Sequence, residues 1–372
     1  MKRLVFTFSL IAALIVPAAC RPAQMVEVAT VTLAPTRTAM PEPATPTPTP
    51  VPDAPTHADL PYVDDGQRQH RLDVYLPEGA RGPLPTLIGI PGINIPSTGG
   101  ITRSSFHAGT KEKLKLLARH FSDRGYAVVA INYRYPSESL QQWETEDAFC
   151  ALAWVHANAG TYGFDPQRIA VIGDNFSGMI AAKVGMVDEP ALFLEDCPHT
   201  LPDTGRVAGV VTHGGHFFTP KFSLEVGAFI NVFTVSFETQ SEIPYRETYS
   251  IFERLSTLAP QEWREGQGLD GNAQKVARLL PLYWLDGSEP PFLLLHGDFD
   301  PIMRLQANVA SNTPLELLPP SESLAFADEL RAAGVDVETV LIPDASYNGL
   351  MDETASKVLL KEIEGFLGDL FE

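Results

Sequence analysis

Residues 173–178 read GDNFSG and follow directly on the apolar run RIAVI at 168–172. An apolar strand that enters a glycine-flanked turn and then a helix is the setting in which G-x-S-x-G presents a serine nucleophile to an acyl substrate. The apex position here is Asn175. Its amide lone pair is delocalised, so no neighbouring base turns it into a nucleophile. Ser177 comes two residues later; with 3.6 residues per helical turn it lies about 200° around the axis and faces the sheet, where a small residue serves close packing rather than catalysis. His213 and His216, in THGGH, end another apolar run and belong at the same rim. With Asp300 they make the ingredients of an acid–base or metal cluster, but H-x-x-H without a third obvious ligand is weak ground for a metal, and none is expected.

The elements that must position these residues alternate along the chain. Strand-type runs stand at 71–77, 85–92, 126–134, 168–172, 208–215, 291–300 and 337–346. Helical patterns separate them at 111–125, 140–159, 176–186, 321–334 and near 352–370. Nearly continuous apolar strands alternating with helices imply an α/β fold with a mostly parallel central sheet covered on both faces, whose active groups gather at the carboxyl ends of the strands. Residues 216–286 interrupt the alternation with aromatic-rich mixed sequence. An excursion of that length between two core strands reads as a lid or cap insertion.

The amino terminus is organised differently. MKRLVFTFSLIAALIVPAAC has a basic start, an apolar stretch of about a dozen residues and small residues before a cysteine, the build of a secretory signal. It resembles a bacterial lipoprotein signal over residues 1–20, with Cys20 as the lipidated residue and membrane attachment through that lipid. Residues 21–58 form a Pro/Thr/Ala tract that cannot bury enough surface to fold and reads as an extended spacer, leaving 59–372 for the globular domain. The formal charge of −19 argues against nucleic acid and anionic membrane surfaces as direct partners. The three cysteines fit an extracytoplasmic address: with Cys20 lipidated, Cys150 and Cys197 remain as a disulfide pair or as two buried thiols, the disulfide being preferred.

With the elements placed, LDVYLPEG, RGYAVVAINYRYP, HANAGTYGFDPQRIAVIGDNFSG and PPFLLLHGDFDPIM together make residues 60–372 resemble the α/β-hydrolase superfamily, in its carboxylesterase, lipase and acetylhydrolase-like branch. The resemblance implies Ser, Asp and His in that chain order. Asp300 matches the acid position in HGDFDP. Asn175 occupies the nucleophile position, and Tyr347 falls on the histidine position in LIPDASYNGL. His296 matches a structural position. A tyrosine, with an ordinary pKa near 10, is a poor general base at neutral pH. For the oxyanion hole the resemblance implies the backbone N–H of Phe176 and donors from Gly92 and Ile93, although Pro91 and Ile93 stand where relatives carry His and Gly. The expectation is an extracytoplasmic lipoprotein, secreted or membrane-anchored, with an esterase-like domain. Impaired in catalysis, it is kept for binding a small ester-like molecule or a surface protein partner, with no cofactor. The alternative is an active carboxylic-ester hydrolase that recruits other residues such as His213 or His216.

Overall fold

A computed structural model of the chain describes residues 54–94, 107–108, 110–134, 142–215, 217, 219–220, 243, 245–297, 321–343 and 353–372. The chain divides into two units, Met1–Thr49 and Pro50–Glu372, and all described residues belong to the second. Cys20 and the segment before residue 54 therefore lie outside the described residues.

The elements follow the expected alternation. They are β1 (His57–Pro61), β2 (Arg71–Tyr75), β3 (Leu84–Ile90), the short strands β4 (Ile93–Asn94) and β5 (His107–Ala108), α1 (Lys115–Ser122), β6 (Ala127–Ile131), α2 (Trp143–Ala157), α3 (Ala159–Tyr162), β7 (Phe164–Asp174), α4 (Ser177–Met186) and β8 (Gly209–His213). Then come α5 (Tyr245–Ser256), α6 (Pro260–Arg264), α7 (Gly271–Leu279), β9 (Phe292–Gly297), α8 (Ser321–Ala332), β10 (Val337–Ile342) and α9 (Glu353–Phe371). Eight of the described strands form one sheet in the order β1-β2-β6-β3-β7-β8-β9-β10. β1 and β2 are antiparallel; from β6 to β10 every pairing is parallel. The edge strand β1 has no clear signal in the sequence, since its five residues, HADLP, are short and polar.

Burial on both faces explains the continuous apolar runs of the central strands. In β7, Ile169 and Val171 enter one core with α2 and α4, while Ala170 and Ile172 enter the other with α1 and α9. Every residue of α4 is buried, so the helix that follows the turn at 173–176 is held on all sides. The segment expected as a lid contains α5, α6 and α7, and their Ile251, Phe252, Trp263 and Val276 share the core of α2 and α4. Cys150, in α2, is bonded to Cys197, with Cα atoms 5.5 Å apart, which decides between the disulfide and the two free thiols.

Candidate active site

The turn after β7 is built from glycines and one buried hydroxyl. A Cβ on Gly173 would lie 2.1 Å from the carbonyl oxygen of Ser177, and one on Gly178 would lie 2.8 Å from the Cα of Gly215. Strand end and helix start therefore touch backbone to backbone. Ser177 Oγ accepts from the Asp174 N–H at 2.9 Å and lies 2.7 Å from the Ile90 carbonyl and 2.8 Å from the Asp174 carbonyl. Fully buried and engaged with β3 and β7, Ser177 is part of the packing, as the helical geometry implied.

At the apex, Asn175 adopts φ +57°, a left-handed conformation that asparagine tolerates better than most L-residues. Its N–H donates to the His213 carbonyl at 2.7 Å and its carbonyl accepts from Gly178 N–H at 2.9 Å. The side chain turns back: Asn175 Oδ1 accepts from the Phe176 N–H at 2.6 Å. That amide is the donor an oxyanion hole would use, and here the chain's own carboxamide occupies it. The loop after β3 reaches the same place, since a Cβ on Gly92 would lie 2.6 Å from the Asp174 carbonyl oxygen and 3.0 Å from Asn175 Cβ. Pro91 has no N–H to contribute; the next two residues, Gly92 and Ile93, do.

Two side chains flank the turn on the α1/α9 face. The parallel register of β7 and β8 sets Asp174 opposite His213, and His213 Nδ1 lies 2.8 Å from Asp174 Oδ1. His213 is completely buried, and among the described residues its Nε2 has no hydrogen-bond partner; neither has Nδ2 of the buried Asn175. Lys113 is close enough for the Asp174 charge to be felt: burial pushes its ammonium below the usual range and Asp174 opposes that shift.

Of the residues singled out in the sequence, the fold brings together Asn175, Phe176, Gly92 and His213. His296 is buried, with Nδ1 2.9 Å from Ser323 Oγ, a structural setting. Asp300, Tyr347 and His216 lie outside the described residues, so the acid and histidine positions carry no geometry. Among the described residues no group of three or more His, Cys, Asp or Glu is arranged to hold a metal ion. Asp174 escaped the sequence reading because it counts as the variable residue of the turn motif; only the register with β8 reveals its partner.

Two further polar clusters lie elsewhere. A cavity of 260 Å³ beside the disulfide is lined by Asp65, His70, Arg134, Asp147 and others, and by no residue of the turn. Its charges satisfy one another: His70 Nδ1 lies 2.7 Å from Asp65 and Nε2 3.2 Å from Asp147, which also holds Arg134 at 2.7 Å. Burial lowers the His70 pKa, but these two carboxylates outweigh it and leave it raised. The second cluster lies between α2 and α4. Lys183 Nζ, fully buried, donates to Gln142 Oε1 at 2.9 Å and Thr145 Oγ1 at 3.1 Å, with Glu144 3.8 Å away. Burial pushes the Glu144 carboxyl up to about 7, with Lys183 opposing, and pushes the Lys183 ammonium down.

Known proteins resemble this chain in sequence and fold. The BD-FAE family model matches residues 72–313. Esterase LipQ of Mycobacterium tuberculosis is 24% identical over 321 residues, 84% of this chain and 62% of LipQ. A probable isoprenylcysteine alpha-carbonyl methylesterase, ICMEL1, of Arabidopsis thaliana is 32% identical over 311 residues, 82% of this chain and 52% of its own length. The chain thus spans only 52 to 62% of these two curated relatives. Among solved structures, the Thermogutta terrifontis esterase Est2 with propionate bound superposes with a TM-score of 0.57 at 20% identity, covering 86% of this chain and 96% of that one. The sheet order and these structural likenesses identify the α/β-hydrolase fold.

Proposed function

The chain belongs to the BD-FAE family, within the carboxylesterase-like α/β-hydrolases, and we propose that its domain binds a carboxylic-ester-type ligand without forming an acyl-enzyme. One observation carries this reading. The apex of the turn holds Asn175, whose Oδ1 sits 2.6 Å from the Phe176 N–H. A carboxamide supplies no electron pair for attack on a carbonyl, and this one also engages the amide that would stabilise an oxyanion. In a serine hydrolase, loss of the nucleophile alone costs about 10⁶ in turnover, the remainder coming from the oxyanion hole and binding. The nearby hydroxyl, Ser177, is buried and hydrogen-bonded to the backbone on both sides.

The names of the relatives support an ester as the ligand class, and the propionate in the Est2 structure supports a small acyl group. The amino-terminal sequence supports an extracytoplasmic domain carried on a spacer from a lipidated Cys20. The test is covalent: the full chain, incubated with a fluorophosphonate and digested, is expected to show no modified serine. A stoichiometric adduct on any serine would refute the reading.

A further inference from the structure

We propose that Asp174 and His213 form a general-base dyad that hydrolyses the bound ester directly with water, with Asn175 as a hydrogen-bond donor to the carbonyl oxygen. The inference rests on the reading that Asn175 closes the covalent route. It goes further in giving the site a water-based reaction and in giving His213 a partner, Asp174, that the sequence does not assign.

Two buried nitrogens at the turn have no partner among the described residues. His213 Nε2 and Asn175 Nδ2 are both enclosed, and neither makes a hydrogen bond to a described residue. Leaving such groups unpaired destabilises a fold, and native structures explain the exceptions by an absent water or a function. These two belong to residues joined by a backbone hydrogen bond, Asn175 N–H to the His213 carbonyl at 2.7 Å. Both lie at the carboxyl ends of adjacent parallel strands, where ligands of such sheets gather. The imidazole is oriented as a base requires. Nδ1 faces the Asp174 carboxylate at 2.8 Å, which holds the proton on Nδ1 and leaves the lone pair on Nε2. The amide points the other way chemically: with Oδ1 engaged by Phe176 N–H, Nδ2 is left as a pure donor. Among the described residues an acceptor and a donor thus lie unpaired beside one turn, the complement of a water molecule and an ester carbonyl.

The step balances without any further reagent. Water gives a proton to His213 Nε2 as its oxygen bonds to the carbonyl carbon. The π pair of the carbonyl moves to the oxygen, where Asn175 Nδ2–H donates to it. The carbonyl re-forms, the C–O bond to the alcohol breaks, and the departing alkoxide takes the proton from Nε2. The products are a carboxylic acid and an alcohol, with nothing oxidised or reduced.

The experiment follows 4-nitrophenyl acetate hydrolysis by the full chain. Turnover above the buffer rate, without an initial burst and unchanged after fluorophosphonate treatment, is expected. His213→Gln is expected to lower it roughly 10²–10⁴-fold, the usual contribution of a positioned base. His213→Ala is expected to regain part of it when imidazole is added, which a purely structural histidine would not do. Where the histidine variants do not fold, Asp174→Asn, which keeps the shape of the carboxylate, is expected to lose turnover by at least about tenfold because it no longer fixes the tautomer. Absence of turnover, or turnover unchanged in folded His213→Gln or Asp174→Asn, overturns the dyad and leaves the binding reading intact. Inactivation by fluorophosphonate overturns both.

Discussion

Asn175 holds a left-handed backbone at φ +57°, a conformation that costs about 1–3 kcal/mol for most side chains and persists because its surroundings impose it. Those surroundings are backbone contacts: Asn175 N–H to His213, Gly178 N–H to Asn175, and the approach of Gly173 to Ser177. None of them uses the carboxamide, so the turn survives replacement of that side chain. Asn175→Ser is expected to put a serine at the apex of the turn, release the Phe176 N–H from the carboxamide, and place a hydroxyl beside a histidine already held by a carboxylate. The variant should acquire a fluorophosphonate adduct on residue 175, detected by peptide mass spectrometry. Asn175→Ser with His213→Gln should not, since the hydroxyl then has no base. Labelling of both variants alike would show that the activating base lies elsewhere.

Between elements, the α2–α4 contact carries a buried charge pair at its centre. Glu144, with its Oε1 3.8 Å from Lys183 Nζ, is pushed to about 7 by burial, while Lys183, Asp147 and Glu146 add smaller opposing and reinforcing effects. A carboxyl whose folded pKa lies above its unfolded value of 4.5 binds its proton more tightly in the folded state. The stability it contributes is therefore complete below about pH 4.5 and is lost as the pH rises through about 7. Lys183 limits that loss by its charge. Lys183→Met is expected to cost about 3 kcal/mol at pH 8, where Glu144 becomes an uncompensated buried charge. At pH 5, with Glu144 protonated and a desolvated ammonium removed, the cost should be close to zero. Urea unfolding at the two pH values measures the difference; equal costs would contradict the assignment.

For the whole molecule, the disulfide and the amino-terminal segment make separate claims. Cys150 and Cys197 are 47 residues apart in sequence, and closing a loop of that length restricts the unfolded chain by about 4 kcal/mol in the chain-entropy model. Replacing both cysteines by serine should lower the unfolding free energy by up to about that amount, read as a fall in the denaturant midpoint with little change in far-UV circular dichroism. The bridge also ties α2 to the segment after α4, so local opening should increase there first, which hydrogen exchange would show. Cys20 belongs to another part of the chain, and the proposal that it is lipidated predicts recovery in the membrane fraction, because several acyl chains anchor firmly where one does so marginally. Cys20→Ser should move the protein to the soluble fraction; unchanged fractionation and an unchanged N-terminal mass would rule out the lipoprotein proposal.

The order of strands and helices was legible in the sequence, because apolar periodicity and turn residues act locally and record which face each element must bury. The turn at 173–178 was legible for the same reason, as were the asparagine at its apex and the packing role of Ser177, which follows from helical geometry alone. The resemblance set Asp300 and Tyr347 beside Asn175, but neither lies among the described residues. The tertiary structure decided the pairings between distant segments. Cys150 and Cys197 meet because α2 packs against the chain that follows α4. Asp174 and His213, 39 residues apart, meet because β8 docks in register beside β7. Lys183 and Glu144 meet because α4 and α2 share one face of the sheet. The same structure turned the Asn175 carboxamide onto the Phe176 amide and left His213 Nε2 and Asn175 Nδ2 without partners among the described residues. Local propensity says nothing about these contacts, since they depend on which strand lies next to which and how deeply each is covered, quantities that exist only once the sheet has assembled.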